Sequence, residues 1–336
     1  MNRTRRWRIG WTRSPSVADG DKAAPLAALD RATTWLNPRP DVLRDRVLLV
    51  DFWTYTCVNW LRTAPYLRAW QQKYHEHGLL LIGVHTPEFD FEHDLDNVRR
   101  AVHELGIDYP VVVDNEYDVW TSFHNRYWPA LYFVDVHGQI RHHQFGEGDY
   151  EQSEAIIQTL VAESGRDGFD AGFVQVDPTG VEAAADWTNL WSPENYLGSE
   201  RTENFASPNG AVLDVGHLYA VPPELPLNAW ALAGNWTITG REVVLNLPDG
   251  TIRYRFHARD LNLVMRSGHG RVPFQVRVDG GPPGAAHGVD VDAEGNGVLD
   301  APRLYQLVRQ PGPVVDRTFD VTFRTAGVRA CAFTFG

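Results

Sequence analysis

Apolar positions follow two different rhythms along this chain. Residues 47–53 (VLLVDFW) form a nearly unbroken apolar run, the pattern of a strand buried on both faces. Within residues 57–74, Leu61, Tyr66, Leu67, Trp70 and Tyr74 recur at helical spacing, and Pro65 is expected to kink that helix. Gly78 closes it, and residues 79–84 (LLLIGV) read as a second buried strand. A charged amphipathic helix over 90–105 ends at Gly106, followed by a short strand at 110–114 and a short helix at 117–124. Residues 131–136 and 139–145 make a hairpin about His137-Gly138, and a helix over 150–161 completes the unit. Strands alternating with helices, then a hairpin and a helix, predict a mixed α/β sheet.

The rhythm changes near residue 165. A Gly-containing stretch ending in Asp177-Pro178 reads as a linker, and beyond it come short alternating runs at 236–239, 243–247, 251–258, 261–265, 274–278, 303–308, 318–323 and 330–335. Turn signals such as Asp249-Gly250 and Asp279-Gly280-Gly281 separate them, which is the sequence form of an antiparallel sandwich or jelly roll. The expected division is an irregular N-terminal segment at 1–40, an α/β domain at 41–165, a linker at 166–185 and an all-β domain at 186–336.

Composition narrows the function. A net charge of −12 argues against general affinity for nucleic acid or anionic membrane. The longest apolar run, 79–84, is far too short to span a bilayer, and no apolar run of signal-peptide length follows Arg5-Arg6. A cytoplasmic location is therefore expected, unless a true start with an export signal lies upstream. Two cysteines, Cys57 and Cys331, exclude a disulfide framework, a four-Cys zinc site and an iron–sulfur cluster. No cofactor or metal is implied. The histidines lack ligand spacing, and residues 290–297 resemble a calcium loop but read better as a polar hairpin turn.

Cys57 is the candidate nucleophile. It follows a buried strand at the predicted N-terminus of a helix, where the helix dipole and free N–H groups are expected to lower its pKa. Residues 51–60 (DFWTYTCVNW), with Pro65 beyond them, resemble the active-site segment of thioredoxin-like thiol–disulfide oxidoreductases. The likeness is to the soluble part of DipZ-type proteins, within the TlpA-like and cytochrome c biogenesis group. Residues 83–89 (GVHTPEF), 125–130 (NRYWPA), 145–150 (FGEGDY), 196–207 (YLGSERTENFAS) and 332–336 (AFTFG) match the same group in chain order. The resemblance covers about residues 40–336 and does not include the group's membrane-embedded electron-transfer domain. It implies a thioredoxin fold followed by a β-sandwich resembling carbohydrate-binding modules.

The resemblance also implies a Cys-x-x-Cys motif, yet the second position is Trp60. A substrate attacked by Cys57 would stay in a mixed disulfide until an external thiol released it. Cys331 is expected in the core of the last strand rather than as a resolving partner. By the same resemblance Trp128-Pro129 matches the group's cis-proline. Glu88, after a strand end on the same sheet edge, is a candidate for moving the thiol's proton. Thr54-x-x-Cys57 with Arg126 also resembles the peroxide-orienting set of peroxiredoxins. Trp53, Thr54, Trp60, Tyr127, Trp128 and Pro129 complete the expected substrate-binding set, with Trp60 lining an apolar cleft.

These observations point to an oxidoreductase with a single thiol, Cys57, acting on a disulfide or peroxide. Glu88 and Arg126 assist it, and an external thiol resolves the product. The alternative is a redox-divergent protein that binds or transforms a small organic substrate in the same cleft. Expected partners are a small thiol, a disulfide-bearing protein or a small organic substrate, with a glycan at the β-domain tryptophans Trp187, Trp191, Trp230 and Trp236 as a further candidate.

Overall fold

The computed structural model describes residues 24–166, 168–268 and 270–336. Its first sheet has six strands. Central β2 (Val47–Trp53) and β3 (Leu79–His85) are buried along their whole length, as their unbroken apolar runs require. They pair in parallel, with Trp53 opposite His85, and β3 continues in parallel to β4 (Val111–Val113). The hairpin strands β5 (Ala130–Val134) and β6 (Ile140–Phe145) join antiparallel on the other side of β2.

The segment expected to be irregular contributes two elements within its described part. Helix α1 (Ala24–Arg31) packs on one face of the sheet, and β1 (Trp35–Leu36) pairs antiparallel with β4. Short, weakly periodic elements like these draw their stability from tertiary packing, so they leave little trace in local pattern. Residues 1–23 lie outside the described residues.

Helix α2 (Val58–Tyr74) runs through Pro65 without a break. The helix expected over 90–105 is divided: a 3₁₀ turn (Asp90–His93) precedes α3 (Leu95–Glu104), whose start is capped by the Asp94 carboxylate accepting from the N–H groups of Asp96 and Asn97. The short α4 (Asp118–Ser122) packs with α1 on one face of the sheet, and α5 (Tyr150–Glu163) with α2 and α3 on the other. Alternate residues of β2 therefore enter two different cores: Leu49 and Trp53 lie under α2, Leu48 and Phe52 under α1 and α4.

The remainder is mostly β, with strands β7 (Asn195–Tyr196) to β17 (Val328–Phe335) pairing antiparallel in one continuous eleven-stranded sheet. The sheet curls on itself because β9 (Trp230–Ile238) serves both halves. Its first part pairs with β11 (Gly250–Phe256), its last part with β10 (Val243–Leu245), and Gly234 at φ 96° sits between. Rings from the two halves meet across the fold, among them Tyr254 with Phe333 at 4.9 Å and Phe319 with Phe333 at 6.0 Å.

The outer face of this sheet closes over the first domain. Val264, Leu304, Cys331 and Ala332 join the core beneath α2, and Arg62 of α2 donates to the Phe335 carbonyl at 3.1 Å. The same guanidinium is paired with Glu147 at 2.9 Å and is almost fully buried. Among the described residues no helix is long and apolar enough to cross a membrane.

Candidate thiol site

The site is built at one edge of the first sheet. Cys57 follows β2, Glu88 follows β3, and Ala130 at the start of β5 sits beside Phe52, bringing the cis Trp128-Pro129 peptide to the same edge. Cys57 is the N-cap of α2 with extended backbone (φ −77°, ψ 111°) and is half-buried. Its thiol departs from expectation in sign. Burial pushes it well above the ordinary cysteine value, and the Glu88 and Glu194 carboxylates push the same way. The N–H groups of Trp60 and Asn59 oppose this, so the helix start acts as expected but is outweighed.

Trp60 belongs to the core, not to a cleft wall. It is fully buried, lies against Trp53 with ring centroids 4.4 Å apart, and donates from Nε1 to Asp51 Oδ2 at 2.9 Å. Trp53 is likewise fully buried and meets His85 edge-on at 5.0 Å. Burial raises Asp51 to about 8, the Trp60 N–H opposing, and lowers His85 to about 3. Both shifts favour the neutral forms, the protonated acid at Asp51 and the uncharged imidazole at His85. Among the described residues, Asp51 Oδ1, Trp53 Nε1, Tyr55 Oη and both ring nitrogens of His85 find no hydrogen-bond partner.

Glu88 is held by the β domain. The Tyr196 hydroxyl donates to its carboxylate, Arg201 Nη1 approaches Oε1 at 3.1 Å, and the Arg201 guanidinium lies 3.3 Å over the Tyr196 ring. The loop carrying Glu88 is fixed from within by Glu92, which accepts from the Thr56 hydroxyl at 2.6 Å and the Phe89 N–H at 2.9 Å. Much of Glu194 is exposed, but its carboxyl end sits against Tyr196 and Glu88. Desolvation there, with Glu88 adding, raises it to about 7.

The remaining expected residues separate. Thr54 is fully buried and its hydroxyl faces Glu92, while Arg126 is exposed and is not among the charges that weigh most on the thiol. Tyr127 is exposed, Pro129 is buried, and Trp128 is half-buried, donating to the Thr86 carbonyl at 3.1 Å. Cys331 is buried on the face of β17 turned toward the first domain, with Sγ 3.8 Å from Glu242 Oε2, and both cysteines are free.

Glu194, Tyr196 and Arg201 were not legible as site residues. Tyr196 and Arg201 lie in the 196–207 stretch that carries the family likeness, and that stretch is the signal that could have pointed to them. Their meeting with Glu88, more than a hundred residues earlier, depends on how the β domain docks.

Comparison with known proteins agrees with this architecture. Residues 192–336 match the family described as Thioredoxin like C-terminal domain. Protein DipZ of Mycobacterium tuberculosis is 36% identical over 260 residues, covering 75% of this chain and 36% of DipZ. The chain thus spans about a third of the length of that relative. Thiol-disulfide oxidoreductase YkuV of Bacillus subtilis is 27% identical over 143 residues, covering 42% of this chain and 96% of YkuV. A solved thioredoxin-like protein in its oxidized form aligns with a TM-score of 0.36 at 27% identity, covering 40% of this chain and 90% of that one. The chain carries a thioredoxin-like domain and resembles the DipZ group, with Trp60 at the second cysteine position of the motif.

Proposed function

We propose that this thioredoxin-like, DipZ-similar chain carries out thiol–disulfide exchange through one thiol, Cys57, and depends on an external thiol to complete turnover. The observation that carries the reading is the placement of Cys57. It is the N-cap residue of α2, next to the open N–H groups of that helix's first turn, and of the two cysteines it alone has appreciable exposed surface.

In the forward step Cys57 gives its proton to a neighbouring carboxylate, for which Glu194, titrating near 7, is matched. The thiolate attacks one sulfur of a disulfide-bearing polypeptide and a Cys57–substrate S–S bond forms. The substrate's own S–S bond breaks, and its departing sulfur takes a proton. With Trp60 in the core there is no second thiol one helical turn on. A thiol from solution must attack the substrate sulfur of the mixed disulfide: an S–S bond forms between that thiol and the substrate, the Cys57–substrate bond breaks, and Cys57 leaves as the thiolate and takes up a proton again. Asn59 and Trp60 N–H stabilise the sulfur anion that forms in both steps.

Intact-mass measurement after exposure to glutathione disulfide tests the reading. One glutathione adduct is expected on the wild type and none on Cys57→Ser. An unmodified wild type, or an adduct that persists in Cys57→Ser, overturns it.

A further inference from the structure

Directly beyond Cys57, a groove of about 310 Å³ runs between the first turn of α2 and the β domain. Val58, Asn59 and Arg62 form one wall, and Trp187, Trp191 and Glu194 stand on the other. We propose that this groove is a substrate subsite for an extended polypeptide that carries an aromatic or large apolar side chain beside a basic one. The proposal rests on the thiol-exchange reading and names its substrate class.

The tryptophans supply the apolar part. Trp187 and Trp191 are 63% and 59% exposed, the opposite of the buried tryptophans that fill the two cores. Trp191 is held in place despite its exposure. It stacks on His257 at 3.9 Å with 8° between the planes, and His257 is bound to Asp316 at 2.7 Å. An exposed ring fixed from behind offers contact area at little ordering cost.

Charge sets the second requirement. Arg62 is already committed to Glu147 and the Phe335 carbonyl, and the Ser192 hydroxyl to Asn228 and the His257 N–H. The groove therefore offers no free cation to an anionic ligand. The groove wall carries the Glu194 carboxylate, on a chain of net charge −12. An aromatic face beside a carboxylate suits an Arg or Lys side chain.

Two synthetic peptides without cysteine test this on the wild-type protein by equilibrium tryptophan fluorescence and calorimetry: Gly-Ser-Phe-Arg-Gly, and the same peptide with Asp for Arg. The Arg peptide is expected to bind about tenfold tighter, and Trp187→Ala and Trp191→Ala each to weaken it about tenfold, close to 1.4 kcal/mol. Glu194→Gln should narrow the difference between the two peptides. Leu218→Ser, an exposed apolar change on another strand, serves as the control that leaves binding intact. Thermal unfolding of each variant separates lost binding from lost fold. Absence of binding, equal binding of both peptides, or binding unmoved in both tryptophan variants overturns the proposal. So does saturable binding of a cello-oligosaccharide that both tryptophan variants abolish, which would assign the groove to a glycan. Peptide binding by a protein that takes no glutathione adduct would reject the thiol reading while leaving the groove assignment standing.

Discussion

The start of α2 and the middle of β17 each hold one free cysteine, and the two surroundings share more than they differ. Both thiols are pushed up by burial and by a nearby glutamate, Glu88 for Cys57 and Glu242 for Cys331. What separates them is access and backbone. Cys57 is half-buried at a helix start, whereas Cys331 is closed between two domains at an irregularity in the pairing of β17. A reactive cysteine here is therefore marked by who can reach it and by where negative charge can be received, not by a low resting pKa.

The largest test of that contrast is Trp60→Cys, which restores two cysteines in the thioredoxin-like spacing. Because Trp60 is fully buried against Trp53 and bound to Asp51, the substitution opens a cavity beneath α2 before it supplies a thiol. Urea unfolding should show a loss of about 3–5 kcal/mol, the range for truncating a buried Trp. A loss under about 1 kcal/mol would mean the indole is not what fills this space.

Alkylation of the native protein sharpens the same comparison. Iodoacetamide should modify Cys57 at least about a hundredfold faster than Cys331, which becomes reachable only when the domain interface opens. Peptide mapping at successive times reads the two rates, and similar rates would remove the distinction.

Charge around Cys57 gives a smaller, signed effect. Glu88→Gln removes a negative charge that disfavours the thiolate, so the pH profile of Cys57 alkylation should move to lower pH and the rate at pH 7 should rise a few-fold. Arg201→Ala should act in reverse, since its guanidinium offsets that carboxylate. If the two variants shift the profile in the same direction, the electrostatic account fails.

A test of a different kind concerns Asp51. Its carboxyl titrates at about 8 in the fold against about 4 in an unfolded chain, so the folded state holds the extra proton between those values. Stability contributed by this group is present at low pH and declines as pH rises toward 8. Asp51→Asn keeps an oxygen for the Trp60 N–H and should flatten the decline measured by unfolding at pH 5 to 8. Glu92 and Glu194 titrate in the same sense near 7 and leave some slope behind. A slope unchanged by the substitution would place Asp51 outside this balance.

Much of the first sheet was legible because its central strands are buried on both faces, which forces nearly continuous apolar runs at 47–53 and 79–84. The hairpin, the start of α2 and the alternating strands of the β domain were legible for the same kind of reason: each pattern repeats within a few residues. Helix α1 and strand β1 were missed because they are short and are stabilised by α4 and β4 rather than by their own sequence. Trp60 was misplaced because one helical turn past an exposed position can face either solvent or core, and only the stacking on Trp53 decides. Thr54 and Arg126 show the limit of motif spacing: they stand at suggestive intervals from Cys57, yet the fold directs one inward to Glu92 and leaves the other exposed.

By itself the sequence determined the central strands and the helices between them, the family likeness, the position of Cys57 at a helix start and the lack of a second thiol three residues on. These are local properties, set by periodicity, turn chemistry and residue identity. Tertiary structure alone decided the charge state of the thiol, the burial of Trp60, and the closing of Glu194, Tyr196 and Arg201 over Glu88. Those depend on desolvation and on contacts between residues more than a hundred positions apart, and both exist only once the β domain has packed against α2.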